Sequence, residues 1–177
     1  MIYYHKINSP FKRERGKFTS EFVDIEFAEY LHDDWNWYFK WDGMNVGVDL
    51  FSLRPFGRTK NSAFTYDQWR MLSEWALSVA GYGPRGNVYG ELVGPSIQSN
   101  PHKFESLRVM EFERVIDGEI VLPEALFTKS LDDMVQSCMN KDELFQSSED
   151  NYIEGYVGRL AADPSIITKL KVKDQWA

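Results

Sequence analysis

Apolar and polar positions change period several times along the chain. Between Met44 and Leu50, the residues Met44, Val46, Val48 and Leu50 alternate with Asn45, Gly47 and Asp49. A period of two belongs to a strand with one buried face. The stretch WYFKWDGMNVGVDLFSL (37–53) therefore reads as two strands around Asp42–Gly43, a dipeptide that normally marks a tight turn. In TYDQWRMLSEWALSVAGYG (65–83) the period lengthens. Trp69, Leu72, Trp75, Ala76 and Val79 recur at helical spacing, with Gly81 and Gly83 as stop signals. Residues 87–94 and 106–122 read as strands, the second stretch turning at Asp117–Gly118. Residues 123–140 read as one helix or two short ones, and 151–160 and 165–174 as strands. Residues 22–31 fit a strand end or a short helix. Residues 1–20 are polar and basic and read as an arm or loop. The sum is an α+β fold of antiparallel sheets with packed helices, expected as a single domain over 1–177.

Composition narrows the function classes. The chain has 177 residues, 43% of them hydrophobic and 15% aromatic, enough for a core and for planar stacking surfaces. No apolar run approaches the ~20 residues of a membrane span, and no apolar leader opens the chain. The single cysteine, Cys138, excludes an internal disulfide and a cysteine zinc cluster. His5, His32 and His102 lack metal-ligand spacing. A cytoplasmic setting without membrane contact is expected. The net charge of −7 argues against a generic nucleic-acid coat but leaves room for a local basic cleft. Cations do cluster, at Lys12–Lys17, Arg54–Lys60 and Lys169–Lys173.

Five short segments carry candidate chemistry: Lys40 in KWDG, Arg58 in GRTKNS, Glu91 in YGELVG, Glu154 and Arg159 in IEGYVGR, and Lys169, Lys171 and Lys173 in ITKLKVKD. Each lies on or beside an expected strand. A lysine nucleophile, two carboxylates and several cations suit phosphoryl chemistry, where charge on the transferred group needs balancing. A free lysine titrates near ~10.4 and must lose a proton to attack, which neighbouring cations favour. On one strand, Lys169, Lys171 and Lys173 would share a face, an arrangement fitting a bound anion or an edge strand guarded by lysines. Glutamate is seldom buried without a partner. Glu154 would suit a divalent metal with oxygen ligands, and Glu91 a ribose hydroxyl or the metal.

In order and spacing these segments resemble the nucleotidyltransferase motifs of the ATP-dependent polynucleotide ligase superfamily, which includes mRNA capping enzymes. The resemblance runs from about Trp35 to Trp176. Lys40-Trp41-Asp42-Gly43 resembles the Lys-x-Asp-Gly motif, whose lysine carries the nucleotide. Asn45, two past the glycine, suits RNA-ligase members. GRTKNSAF resembles the Gly-Arg-Thr-x-Asn segment of phage and bacterial RNA ligases, with Arg58 implied at the nucleotide or substrate phosphate. YGELVGPSIQSNPHKF is the longest match. VMEFERV implies Phe112 as the ring that stacks on the purine. IEGYVGR implies Glu154 in metal binding. KLKVKD resembles the last lysine motif, implying Lys169 and Lys171 on the α-phosphate, with Lys173 as the alternative member. Phe39 stands where related RNA ligases often carry glutamate.

The resemblance implies a two-sheet, ATP-grasp-like nucleotidyltransferase core. The chain stops just after the last lysine motif, so no OB-fold is expected. It implies an ATP-dependent RNA ligase working through a lysyl-AMP intermediate. Lys40, Lys169 and Lys171 would be catalytic. Asp42, Gly43, Asn45, Arg58, Glu91, Phe112 and Lys173 would bind nucleotide, and Glu154 would hold Mg2+ or Mn2+. The partner would be nucleic acid, RNA rather than DNA, with another protein supplying a nucleic-acid clamp. Two alternatives stand beside it: a non-catalytic nucleotide- or polynucleotide-binding module, and an RNA guanylyltransferase. The basic stretch Lys12–Lys17 would touch a nucleic-acid backbone or remain a solvated arm.

Overall fold

The computed structural model describes all residues, 1–177. Its strands are β1 (Phe11–Glu14), β2 (Lys17–Phe22), β3 (Asp34–Phe39), β4 (Met44–Asp49), β5 (Arg54–Gly57), β6 (Gly86–Val93), β7 (Arg108–Ile116), β8 (Glu119–Val121), β9 (Phe127–Ser130), β10 (Gly155–Leu160) and β11 (Ile167–Lys171). The α-helices are α1 (Ile25–Glu29), α2 (Tyr66–Val79) and α3 (Leu131–Asn140). Every strand pairing within the sheets is antiparallel. The chain divides into two compact units, Met1–His5 with Trp41–Pro123, and Lys6–Lys40 with Glu124–Ala177. No helix is long and apolar enough to cross a membrane.

The first unit carries a five-stranded sheet in the order β5-β4-β6-β7-β8. The alternation in β4 does what its period requires. Val46, Val48 and Leu50 face a core shared with Val88, Leu92 and the α2 residues Leu72, Trp75, Ala76 and Val79. A capping box closes the start of α2, with Thr65 and Gln68 each accepting the other's backbone N–H. Trp69, expected in the apolar stripe, is instead 42% exposed and lies beside Phe64. On the opposite face of the sheet, Tyr4 packs on Tyr89 and Phe112 and donates to Glu113 at 2.9 Å.

The second unit carries a four-stranded sheet, β11-β10-β3-β9. Trp35 and Trp37 on β3, Tyr156 and Leu160 on β10 and Leu170 on β11 face a core with Leu131, Met134, Val135 and Cys138 of α3. The β1–β2 hairpin closes this core with Phe11 and Phe18.

Three local expectations change. Residues 11–20, read within an arm or loop, belong to a hairpin of Phe11–Glu14 with Lys17–Phe22. Its cations are exposed, but Phe11 and Phe18 are buried and Phe11 stacks on Phe22. The stretch 123–140 is not purely helical. Phe127–Ser130 pairs with β3, and Ser130 then caps α3 by accepting the Asp133 N–H. Finally, β3 and β4 flank Asp42–Gly43 without pairing, because β3 bonds to β9 and β10 while β4 bonds to β5 and β6. Gly43 answers a close approach instead: a Cβ there would run into the Leu92 carbonyl oxygen. The second Asp-Gly does close a hairpin, with Asp117 at φ 49° and Gly118 at φ 84° between β7 and β8.

Candidate active site

Strand parity assembles the centre of the second unit. On β3 the tryptophans at 35 and 37 point into the core, so Asn36, Tyr38 and, one step past the strand, Lys40 belong to the other face. On β11 the buried residues are Thr168 and Leu170, which leaves Lys169 and Lys171 on that other face. β10 lies between the two strands. Its first residue, Gly155, accepts the Lys40 N–H at 3.0 Å and is in register with Lys171. Glu154, immediately before it, therefore falls between two lysines. One carboxylate oxygen receives Lys40 Nζ at 2.7 Å and the other Lys171 Nζ at 2.9 Å. The three side chains are mostly buried, with 12% of Glu154, 21% of Lys40 and 18% of Lys171 exposed. Charge-assisted bonds of this kind are short and strong, but they offset a desolvation cost.

Lys169 completes the group and has no such partner. Burial pulls its ammonium down from the ordinary 10.5 to about 8, and the charges of Lys171, Lys40 and Lys6 pull the same way. Glu154 opposes them weakly. Three lysines thus stand against one carboxylate, and the excess positive charge asks for an anion. Lys173 does not share their strand. β11 ends at Lys171, where the Asp174 side chain accepts the Lys171 N–H at 2.7 Å and the Asp174 N–H bonds back to Lys171 O. Lys173 sits exposed on that turn, so only two lysines, not three, line the strand face.

In the first unit, Asn45 of β4 is in register with Glu91 of β6, and Glu91 accepts the Gly43 N–H at 3.2 Å. The Asp42 N–H donates to His102 Nε2 at 3.0 Å. Trp41 meets the same imidazole edge-on, with ring centroids 5.1 Å apart. His102, which no spacing rule singles out, therefore holds Trp41 and Asp42 from the 94–107 loop. Phe112 is half-buried, its ring 5.0 Å from that of Tyr4 at a steep angle. Arg58 is exposed just past β5. Phe39, in the second unit, is 42% exposed and stacks on Tyr156 with centroids 5.8 Å apart.

Among solved structures the chain is similar to Naegleria gruberi RNA ligase. Against a mutant of that ligase with AMP and Mn, the TM-score is 0.63 at 15% identity, covering 94% of this chain and 61% of the ligase. Against the ligase with PPi, the TM-score is 0.62 at 15% identity, covering 97% and 62%. This chain has an RNA ligase nucleotidyltransferase-type fold. It spans about three-fifths of the length of those ligases. No protein-family model and no curated protein matches the sequence.

Within that ligase-type fold, the fit of a divalent metal can be judged from its donors. No three carboxylate, histidine or cysteine side chains converge. Glu154 is a mostly buried carboxylate amid unbalanced lysines, and magnesium commonly takes one or two protein carboxylates with substrate phosphates completing its shell. Glu154 fits that use when phosphates accompany the ion.

Proposed function

We propose that the protein is an ATP-dependent RNA ligase that works through a covalent lysyl-AMP. The observation that carries this reading is Lys40 on one oxygen of Glu154, with Lys171 on the other and Lys169 unpaired beside them. Lys40 Nζ must first give up a proton to solvent, leaving the Glu154 carboxylate free to hold a metal. The neutral amine attacks the α-phosphorus of ATP. A nitrogen–phosphorus bond forms, the bond to the bridging oxygen breaks, and pyrophosphate leaves with the electron pair. Lys169 and Lys171 balance the charge on the α-phosphate oxygens. A 5′-phosphate oxygen of the RNA then displaces the lysine, which recovers a proton. Finally a 3′-hydroxyl attacks that 5′-phosphorus, releasing AMP and sealing the strand.

A magnesium or manganese ion held by Glu154 with phosphate oxygens would supply Lewis-acid stabilisation to the leaving group. Asp42, Gly43, Asn45, Arg58, Glu91 and Phe112 take their nucleotide-binding roles from the motif resemblance. The Gly43–Glu91 bond and the Asn45–Glu91 register support treating three of them as one group.

The test is incubation with α-labelled ATP and either metal, followed by a denaturing gel. Wild type should retain label and Lys40→Ala should not. Labelled GTP run alongside separates adenylyl from guanylyl transfer. Intact mass guards against a lysine already occupied. No label from either nucleotide, with no adduct mass, would leave a binding module as the better description.

A further inference from the structure

The second unit contains a cavity of about 520 Å³ that reaches beyond the lysines just described. One wall is Lys169 and Lys171. The other walls bring in Lys6, Lys12, Arg13 and Lys173, from the segment before β1, from the β1–β2 hairpin and from the turn after β11. Asp174 is the one carboxylate lining it, and Arg13 already pairs with it at 2.6 Å. Lys171 is held by Glu154, and Lys12 meets only the exposed Glu21. No ion pair engages Lys6, Lys169 or Lys173. The result is a pocket of ordinary ligand size with surplus positive charge in a protein whose net charge is −7.

The basic wall is built, not a waving arm. Asn8 O accepts the Thr168 hydroxyl at 2.9 Å, fixing the segment before β1 to β11. Phe18 exchanges backbone bonds with Gln175 and Ala177, and Trp176 packs edge-on against both Phe11 and Phe18. Arg13 lies 4.2 Å over the Phe18 ring while it grips Asp174. These contacts hold the hairpin's cations beside Lys169 and Lys171.

We propose that this cavity docks the phosphate backbone of the RNA strand whose 5′ end is to be activated. The proposal rests on the ligase reading for the identity of the strand. Lys169 and Lys171 are shared with the α-phosphate, so an RNA end seated against Lys6 and Lys12 has its terminal phosphate close to the group it must attack. A cavity of this size leaves room for sugar and a second phosphate beyond the first. Recognition would be by charge, without base readout.

The probe is a short, 3′-labelled, 5′-phosphorylated RNA, with its 5′-hydroxyl twin as control. The variants are Lys6→Gln/Lys12→Gln and Lys12→Glu, all at exposed side chains outside the adenylation group. Wild type should bind the phosphorylated RNA more tightly than its twin. The double variant should lose about 10-fold or more in affinity. Its log–log salt slope should fall by about 1.4, from two phosphate contacts at roughly 0.7 each on a single strand. Its KM for ATP in lysine adenylation should stay within about two-fold. Unchanged RNA affinity and slope would overturn the proposal. So would a rise in the KM for ATP with RNA binding intact, which would give the cavity to the triphosphate or pyrophosphate. RNA binding is read without any adenylation. Absence of lysyl-AMP in wild type would therefore defeat the ligase reading while leaving the docking result to stand or fall separately.

Discussion

Lys169 is expected to cost the unliganded protein stability. Its ammonium is lowered from 10.5 to about 8, first by burial and then by Lys171, Lys40 and Lys6. The folded chain therefore holds this proton less tightly than the unfolded chain does. Between about pH 8 and 10.5 the unfolded state carries a proton that the folded state has shed. Stability should rise with pH across that window, and below pH 8 the full penalty applies. At 1.36 kcal/mol per pH unit the limit is about 3 kcal/mol, and partial exposure and screening bring it to about 1–2. Lys169→Met keeps an unbranched side chain, one heavy atom shorter, and removes the charge. The variant should be more stable than wild type at pH 7 by that amount, raising Tm by roughly 2–8 °C.

Thermal and urea unfolding without nucleotide, at pH 7 and again near pH 10, measure this directly. The gap between the two proteins should shrink at the higher pH. A Lys169→Met protein no more stable than wild type at pH 7, or a gap indifferent to pH, would refute the reasoning. The same variant should lose adenylation by on the order of 100-fold, because a cation aimed at developing charge is worth about 3 kcal/mol. Stability gained and activity lost together would mark Lys169 as a charge kept for an anion.

Other substitutions probe the same frame. Glu154→Gln leaves Lys40 and Lys171 without a counter-charge. Denaturant unfolding should show a loss of about 1–3 kcal/mol, and the labelled-ATP gel a loss of adenylation. Gly155→Ala forces a Cβ into the Leu170 carbonyl oxygen at φ 155°, so unfolding should show at least about 2 kcal/mol lost. His102→Ala removes the imidazole acceptor of the Asp42 N–H. Adenylation should fall about 10-fold with the melting curve little changed, and His102→Gln, which keeps an acceptor, should recover part of it. Cys138 is buried in the core and its thiol is pushed up to about 11. It should resist a thiol reagent at pH 8 until the protein is unfolded.

What could be read from the sequence follows the physics of each signal. Strand parity is local, so β4, β6 and β7 were legible, and so was the shared face of Lys169 and Lys171. The end of β11 was not. It depends on Asp174 turning back onto the Lys171 N–H, and that bond removes Lys173 from the strand. The two Asp-Gly pairs show the limit most clearly. Asp117–Gly118 lies between strands that pair, and it turns as the dipeptide predicts. Asp42–Gly43 lies between strands claimed by different sheets, so the same two residues close no hairpin. The hairpin was hidden for a related reason. Its cations dominate the composition of residues 11–22, while its fold is decided by Phe11, Phe18 and Phe22, whose partners include Trp176 far along the chain. His102 had no local signal, since its partners include Trp41 and the Asp42 N–H, about sixty residues away. The candidate chemistry was therefore most legible where a charged side chain stands on a regular strand. It was least legible where a loop side chain accepts a backbone N–H far along the chain.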